Sequence, residues 1–281
     1  MSLATLKSLL ENADKNGVAV GAFSVGNMEM IRGAVRAAEE LNTPIILQIA
    51  EVRLKTSPLE LIGPMMIAAA ENSSLPICVH LDHGLTLNTV KLALKLGFSS
   101  VMFDGSLMPF EENIENVKTV CALAKEKGVS VEAELGIVGG NEGEGKAYEI
   151  KCTDPLLAKE FCERTGVDAL AVAIGNAHGH YPVSPVLRTD VLEQINSCCQ
   201  TPLVLHGGSG ITPQMFQDCI KRGVRKINIA TAGFDAVTKG ADEYLRTAEK
   251  PTFFGLSEAE MLRVYENTKT HIKIFNMENA G

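Results

Sequence analysis

The sequence of 281 residues predicts an α/β fold, a (β/α)8 TIM barrel, with an extra N-terminal helix and a C-terminal helical extension, all within a single domain over residues 1–281. Three observations lead there. A short β-branched run, followed by a turn and then a helix-period segment, recurs eight times along the chain. The runs are nearly continuous in apolar residues, as in parallel strands buried on both faces, which favours a barrel or a doubly wound sheet. Eight such units in a chain of this length match the barrel.

The expected strands are Val18–Val25, Pro44–Ala50, Pro76–Asp82, Ser99–Gly105, Ser130–Gly136, Ala169–Gly175, Pro202–Gly208 and Lys226–Thr231. Between them lie helical patterns such as Met28–Leu41, Leu87–Leu96, Phe110–Lys127, Pro155–Thr165 and Pro213–Arg222. Most stop at a glycine (Gly97, Gly128, Gly166, Gly223), which takes the left-handed conformation that ends a helix without a steric penalty. The N-terminal helix is expected over Thr5–Lys15. The C-terminal one is expected over Met261–Phe275, where Ser257 and Glu260 have the spacing of a capping box. One long loop, Ile137 to Thr153, carries a run of alternating glycines and acids, and loops of that length in a compact barrel are usually functional or mobile.

Composition removes several classes of function. With 46% apolar and 21% charged residues the chain can bury a full core. A formal net charge of −8, with no clustered Lys and Arg, argues against nucleic acid as a partner and leaves room for a locally held anionic small molecule. The longest apolar runs, such as the one around Pro44-Ile45-Ile46-Leu47, fall far short of the roughly 20 residues that span a bilayer. No signal-peptide pattern opens the chain, and the seven cysteines form no C-x-x-C pair, so the expectation is a cytoplasmic protein with reduced thiols and no membrane partner.

Barrel enzymes work at the carboxyl ends of their strands. Five of the six histidines fall there, in His80-Leu81-Asp82-His83-Gly84, Asn176-Ala177-His178-Gly179-His180 and His206-Gly207-Gly208-Ser209-Gly210. Neutral imidazoles on three strands, with one coordination position open, are a catalytic zinc arrangement. His80 shares a strand face with Asp82, and His178 lies nearer its strand end than His180, so the metal set is read as His83, His178 and His206, with a core role for His80. A lone histidine more often caps a strand, but three converging sets are hard to explain that way. Asp82 sits beside the metal either as a proton carrier or as a carboxylate that orients a histidine. Gly207 to Gly210 opens onto helix seven and Asn228-Ile229-Ala230-Thr231 onto helix eight. Together they form the phosphate site built after strands seven and eight of many barrels, although glycines there also serve turns. Glu142 on the long loop is placed either to close over a substrate or simply to be solvated.

These residues resemble the class II fructose-bisphosphate and tagatose-bisphosphate aldolases, from about Leu6 to Tyr244. The motifs that carry the resemblance are His80 to Gly84, Val101-Met102-Phe103-Asp104-Gly105-Ser106, Val131-Glu132-Ala133-Glu134-Leu135-Gly136, Asn176 to Gly179, Leu205 to Gly210 and Asn228 to Thr231. The resemblance implies zinc on His83, His178 and His206, and a dihydroxyacetone phosphate half held at its phosphate by Gly179, Gly207, Ser209 and Thr231. It also implies Asn228 at the hydroxyl and carbonyl end of that half, Asp82 serving the aldehyde oxygen, Glu142 (or Glu144) taking the carbon-bound proton, and a monovalent cation (Na+ or K+) near the phosphate. A ketose 1,6-bisphosphate of tagatose or fructose type, or a related ketose 1-phosphate, is the implied substrate, and a homodimer or homotetramer the implied assembly. Aldol cleavage leaves a carbanion, so without a Schiff-base lysine the electron sink must be a Lewis acid. Lys226 is expected at the start of strand eight, the wrong end for that lysine.

The chain departs from the family pattern in three places. The loop reads Gly-Gly-Asn-Glu-Gly-Glu, Ala50 stands where many relatives have Ser or Thr, and Ala232-Gly233-Phe234 lacks a frequent acid. A metal-dependent hydrolase on the same barrel would need a His-x-His pair on strand one, where Phe23-Ser24-Val25-Gly26 stands. A non-catalytic phosphosugar-binding relative would not need both Asp82 and Glu142.

Overall fold

In the computed structural model, residues 3–140, 150–181 and 185–278 are described. In chain order the strands are β1 (Val20–Ser24), β2 (Ile45–Ala50), β3 (Ile77–Gly84), β4 (Ser100–Phe103), β5 (Ser130–Leu135), β6 (Gly139–Gly140), β7 (Ala169–Val172), β8 (Ala177–His178), β9 (Leu203–Leu205) and β10 (Val224–Ile229). Eight of them close a parallel barrel in the order β1-β2-β3-β4-β5-β7-β9-β10, and β6 pairs with β8 in a small parallel ladder. The helices are α1 (Leu6–Asn16), α2 (Met28–Glu40), α3 (Leu59–Asn72), α4 (Leu87–Leu96), α5 (Phe110–Lys125), α6 (Pro155–Thr165), α7 (Thr189–Cys198), α8 (Pro213–Lys221), α9 (Thr231–Thr247) and α10 (Phe253–Phe275). A 3-10 turn, Glu51–Arg53, follows β2 directly.

Local chemistry fixes most of these boundaries. The side chains of Thr5, Asn27, Thr86, Asp154, Thr212 and Thr252 each accept from a backbone N–H in the first turn of the following helix, satisfying donors that the helix itself cannot. The C-terminal helix differs from expectation for this reason. It begins at Phe253, eight residues before the expected Met261, because Thr252 supplies the cap. Ser257 then lies inside the helix and donates instead to Glu29 Oε1 at 2.7 Å. The last barrel strand is also displaced, running from Val224 to Ile229, so Thr231 opens α9 and Lys226 sits within the strand, not at its start.

Alternation along the strands divides the barrel into layers. Outward residues such as Leu47, Val79, Leu81, Val131 and Ile227 pack under the helices. The inward residues at the amino end (Val20, Ala22, Ile46, Cys78, Ala169, Ala171 and Val204) form a second apolar cluster with Leu6, Leu9, Leu10 and Ala13 of α1. The N-terminal helix is therefore a plug in the bottom of the barrel. Toward the carboxyl end the inward positions become Gln48 on β2, His80 on β3, Glu132 on β5, Lys226 on β10 and His206 just after β9, all of them buried. The interior thus turns from apolar to polar on the way to the mouth. At the side, α10 lies against α2 so closely that a Cβ on Gly33 would meet Met261 O at 2.7 Å.

Candidate active site

Three imidazoles meet at the carboxyl end of the barrel. His83 is the penultimate residue of β3, His178 ends β8 and His206 follows β9. Their ring centroids are 4.5 to 5.9 Å apart, and one nitrogen from each lies within 4.8 Å of the others. His83 has φ +38°, a left-handed conformation unusual for a residue with a side chain and typical of constrained functional positions. Carboxylates orient two of the rings. His83 Nδ1 is 2.8 Å from Asp104 Oδ2, which leaves Nε2 for an ion. His206 Nε2 is 2.9 Å from Glu132 Oε1, which leaves Nδ1 for an ion, with Glu134 Oε2 3.2 Å from that nitrogen. This donor set, imidazoles backed by carboxylates, fits zinc or a similar borderline metal.

His178 is placed by backbone packing. Its segment runs between Gly140 (φ +81°) and Gly207 (φ +64°), where a Cβ would lie 2.1 Å from His178 O and 2.1 Å from Ala177 O respectively. Tyr181 Oη accepts from Ala177 N at 2.7 Å and donates to Gly207 O at 2.9 Å, and Asn176 Nδ2 donates to His206 O at 3.0 Å. The segment is thereby tied to the end of β9.

The remaining histidines of the strand-end motifs lie elsewhere. His80 is buried below the site, with Nδ1 2.8 Å from Ser100 Oγ. His180 is exposed, with Nε2 3.5 Å from Asp235.

Asp82 is almost fully buried. Its Oδ1 accepts from Asn228 Nδ2 and its Oδ2 from Gln48 Nε2, each at 3.0 Å. Asn228 Oδ1 in turn accepts from Lys226 Nζ at 2.7 Å, and Lys226 is ion-paired to Glu132 Oε2 at 2.9 Å. A continuous buried network thus joins Asp82 to His206 through Asn228, Lys226 and Glu132. Burial alone would raise the Glu132 pKa, but Lys226 and the His206 hydrogen bond outweigh it and hold the carboxyl well below the usual range. Burial likewise works to raise Asp104, and the hydrogen bond from His83 reverses it. Glu134 moves up through burial and the neighbouring Asp104. At His206, burial and His83 push the pKa down, yet hydrogen bonds to Glu132 and Glu134 bring it up to about 9.

A pocket open to solvent lies beside the histidines. Asp82, His178, Gly179, Gly207, Ser209, Asn228 and Thr231 all line it, together with Ser24, Gln48, Ala50, Arg53 and Phe234. His83 and His206 lie buried in contact with the His178 ring. Gly179 and Gly207 have positive φ, and Ser209 Oγ accepts from Ala232 N at 3.0 Å, next to the first turn of α9. Glu142 and Glu144 fall outside the described residues. Gly140, the last described residue before them, pairs with His178.

Sequence reasoning quoted Gln48, Asp104, Glu132 and Glu134 within motifs but gave them no role, and it missed Tyr181 altogether. A usable signal was present at Glu132 and Glu134. Two acids two apart in an otherwise apolar strand must face the same side, and only a charged interior can accept them. Tyr181 had no such signal, because its partners are backbone atoms brought together by folding.

A parallel eight-stranded barrel with imidazoles from separate strands converging at its carboxyl mouth, beside a glycine-lined pocket, defines a barrel protein equipped to hold a metal ion next to an anionic ligand. Comparison with known proteins narrows this. The profile of fructose-bisphosphate aldolase class-II matches residues 4–280, and the chain belongs to that family. The fructose-bisphosphate aldolase of Staphylococcus aureus is 41% identical over 287 aligned positions, covering 100% of both chains. The sulfofructosephosphate aldolase of Alkalicoccus urumqiensis is 36% identical, covering 100% of this chain and 99% of its own. The crystal structure of the YdjI aldolase from Escherichia coli K12 superposes with a TM-score of 0.88 at 33% identity, covering 99% of this chain and 98% of that one.

Proposed function

We propose that the protein is a zinc-dependent lyase that reversibly cleaves a ketose 1,6-bisphosphate, or a related ketose 1-phosphate, into dihydroxyacetone phosphate and an aldehyde. The observation that carries this reading is the convergence of His83, His178 and His206 beside a pocket that also presents Asp82 and a glycine-rich anion cradle. The three histidines would hold the zinc, which when bound supplies Lewis-acid polarisation of the ketone. Lys226 does not offer the alternative electron sink, since its amine is buried and engaged by Glu132 and Asn228.

The chain's own residues then have these tasks. Gly179, Gly207, Ser209 and Thr231 bind the phosphate of the dihydroxyacetone phosphate half, with backbone N–H groups and hydroxyls in place of basic side chains. Asn228 orients the hydroxyl and carbonyl end. Asp82, held by Asn228 and Gln48, takes the hydroxyl proton as the carbon–carbon bond breaks and returns it to the aldehyde oxygen in the synthetic direction. Glu142 exchanges the proton at the carbon that was the cleavage terminus. A monovalent cation beside the phosphate and a cytoplasmic homodimer or homotetramer complete the proposal. No helix among the described residues is long and apolar enough to cross a membrane, which is compatible with that location.

The test is to load the pure protein with zinc, offer dihydroxyacetone phosphate with a panel of aldehydes, and follow both condensation and exchange of the hydroxymethyl proton with solvent. Condensation with at least one aldehyde is expected. Absence of both condensation and exchange would overturn the reading.

A further inference from the structure

Two departures from the family pattern, Ala50 and the segment Ala232-Gly233-Phe234, border the same pocket. Ala50 at the end of β2 and Phe234 in the first turn of α9 line the pocket, and so does Arg53. The Arg53 guanidinium carbon sits 5.4 Å from the centroid of the Phe234 ring, within cation–π range. Arg53 is the one Arg or Lys among the described residues that line the pocket, and no carboxylate of those residues ion-pairs with it. A guanidinium stacked on one face by an aromatic ring keeps its edge N–H groups in a fixed plane, the geometry that suits bidentate binding of an oxyanion.

The pocket therefore has two means of holding negative charge. The turns after β8, β9 and β10 offer backbone N–H groups and hydroxyls, whereas the turn after β2 offers a full positive charge. Asp82 lines the same pocket, and Ala50 pairs directly with it across β2 and β3. On the aldolase reading, in which Asp82 serves the aldehyde oxygen, the turn after β2 adjoins the aldehyde end.

We infer that Arg53, stacked on Phe234, is the specificity-determining residue for the aldehyde half, selecting aldehydes that end in an anionic group such as phosphate, sulfonate or carboxylate. This rests on the aldolase reading above and supplies it with a second anion site. Ala50 adds no hydroxyl at this end, so discrimination depends on the guanidinium.

The experiment compares wild type with Arg53→Met, Arg53→Lys and Phe234→Leu, all zinc-loaded and checked for folding by circular dichroism. Each is offered dihydroxyacetone phosphate with glyceraldehyde 3-phosphate, a sulfonate-ended three-carbon aldehyde, a carboxylate-ended aldehyde or neutral glyceraldehyde. Wild type is expected to prefer an anionic aldehyde, and the best of the three identifies the terminal group. In Arg53→Met the ratio of kcat/KM for that aldehyde to kcat/KM for glyceraldehyde should fall by about 100-fold, the size of a lost charge-assisted pair. The loss should appear in the aldehyde KM, with Arg53→Lys recovering part of it and Phe234→Leu falling in between.

Equal losses on charged and neutral aldehydes, or no wild-type preference for anions, would overturn the inference. A raised KM for dihydroxyacetone phosphate in the proton-exchange assay would do so too, by moving Arg53 to the other phosphate. Wild-type exchange without any effect of Arg53 leaves the aldolase reading standing, whereas absence of exchange in wild type removes both.

Discussion

With His206 as a proposed zinc ligand, metal and proton would compete for the same ring. Although burial pushes its pKa down, hydrogen bonds to Glu132 and Glu134 bring it up from 6.5 to about 9, so the stabilisation from these carboxylates is complete below pH 6.5 and is lost as pH rises through about 9. An entering metal must displace that proton. Zinc affinity is therefore expected to rise about tenfold per pH unit across this window and to level off above it, as read by competition with a chromophoric chelator. His206→Ala should lose both zinc and activity. Asp82→Ala should keep zinc and lose cleavage by about 100-fold or more, the usual contribution of a positioned acid or base. Metal content by atomic absorption beside a cleavage assay separates the two, and loss of zinc from Asp82→Ala would move that carboxylate among the ligands. Below them, Lys226→Met leaves Glu132 buried without its cation. A stability loss of about 3–5 kcal/mol is expected in urea denaturation, together with weaker zinc binding, because Glu132 also holds His206.

Short elements place His178 as much as its own side chain does. The β6–β8 ladder is only two residues long in each strand, yet it fixes the ring because Gly140 and Gly207 bring backbone against backbone on both sides. Gly207→Ala would require a left-handed alanine and a Cβ 2.1 Å from Ala177 O. It should lower stability by about 1–3 kcal/mol through backbone strain alone. Displacement of His178 should also weaken zinc binding by about tenfold or more, the scale at which supporting residues act on metal sites. Unchanged zinc affinity would show that the ring does not depend on this close approach. Glycines read from sequence as phosphate-binding turns thus have a second task, which is to admit the histidine segment.

The barrel as a whole separates stability from chemistry along its axis. The amino end is filled by α1 and the inward apolar residues, while the polar network and the pocket occupy the carboxyl end. Leu10 is fully buried in the plug. Leu10→Ala should therefore cost about 2–5 kcal/mol in denaturation while leaving kcat/KM at ordinary temperature unchanged. A matching fall in kcat/KM would show that the two ends are coupled. The net charge of −8 is compatible with an anionic substrate if, as proposed, attraction is local, through helix and turn N–H groups and the Arg53 guanidinium.

Much of this was legible in the sequence, because strand and helix periods, glycine stops and strand-end polar motifs are all local signals. They were enough for the barrel, for the order of its strands along the chain, and for the set of His83, His178, His206, Asp82 and the glycine turns that the folded chain brings to one mouth. Where two local signals competed, as with Ser257 and Thr252 for the start of α10, the sequence pointed to the wrong one. Tertiary structure alone decided which carboxylate serves which histidine, that Lys226 is an interior cation, and that Arg53 and Phe234 stack across β2 and α9. The physical reason is separation: Glu132 and Lys226, or Arg53 and Phe234, lie far apart along the chain, and only closure of the barrel sets the register that makes them neighbours.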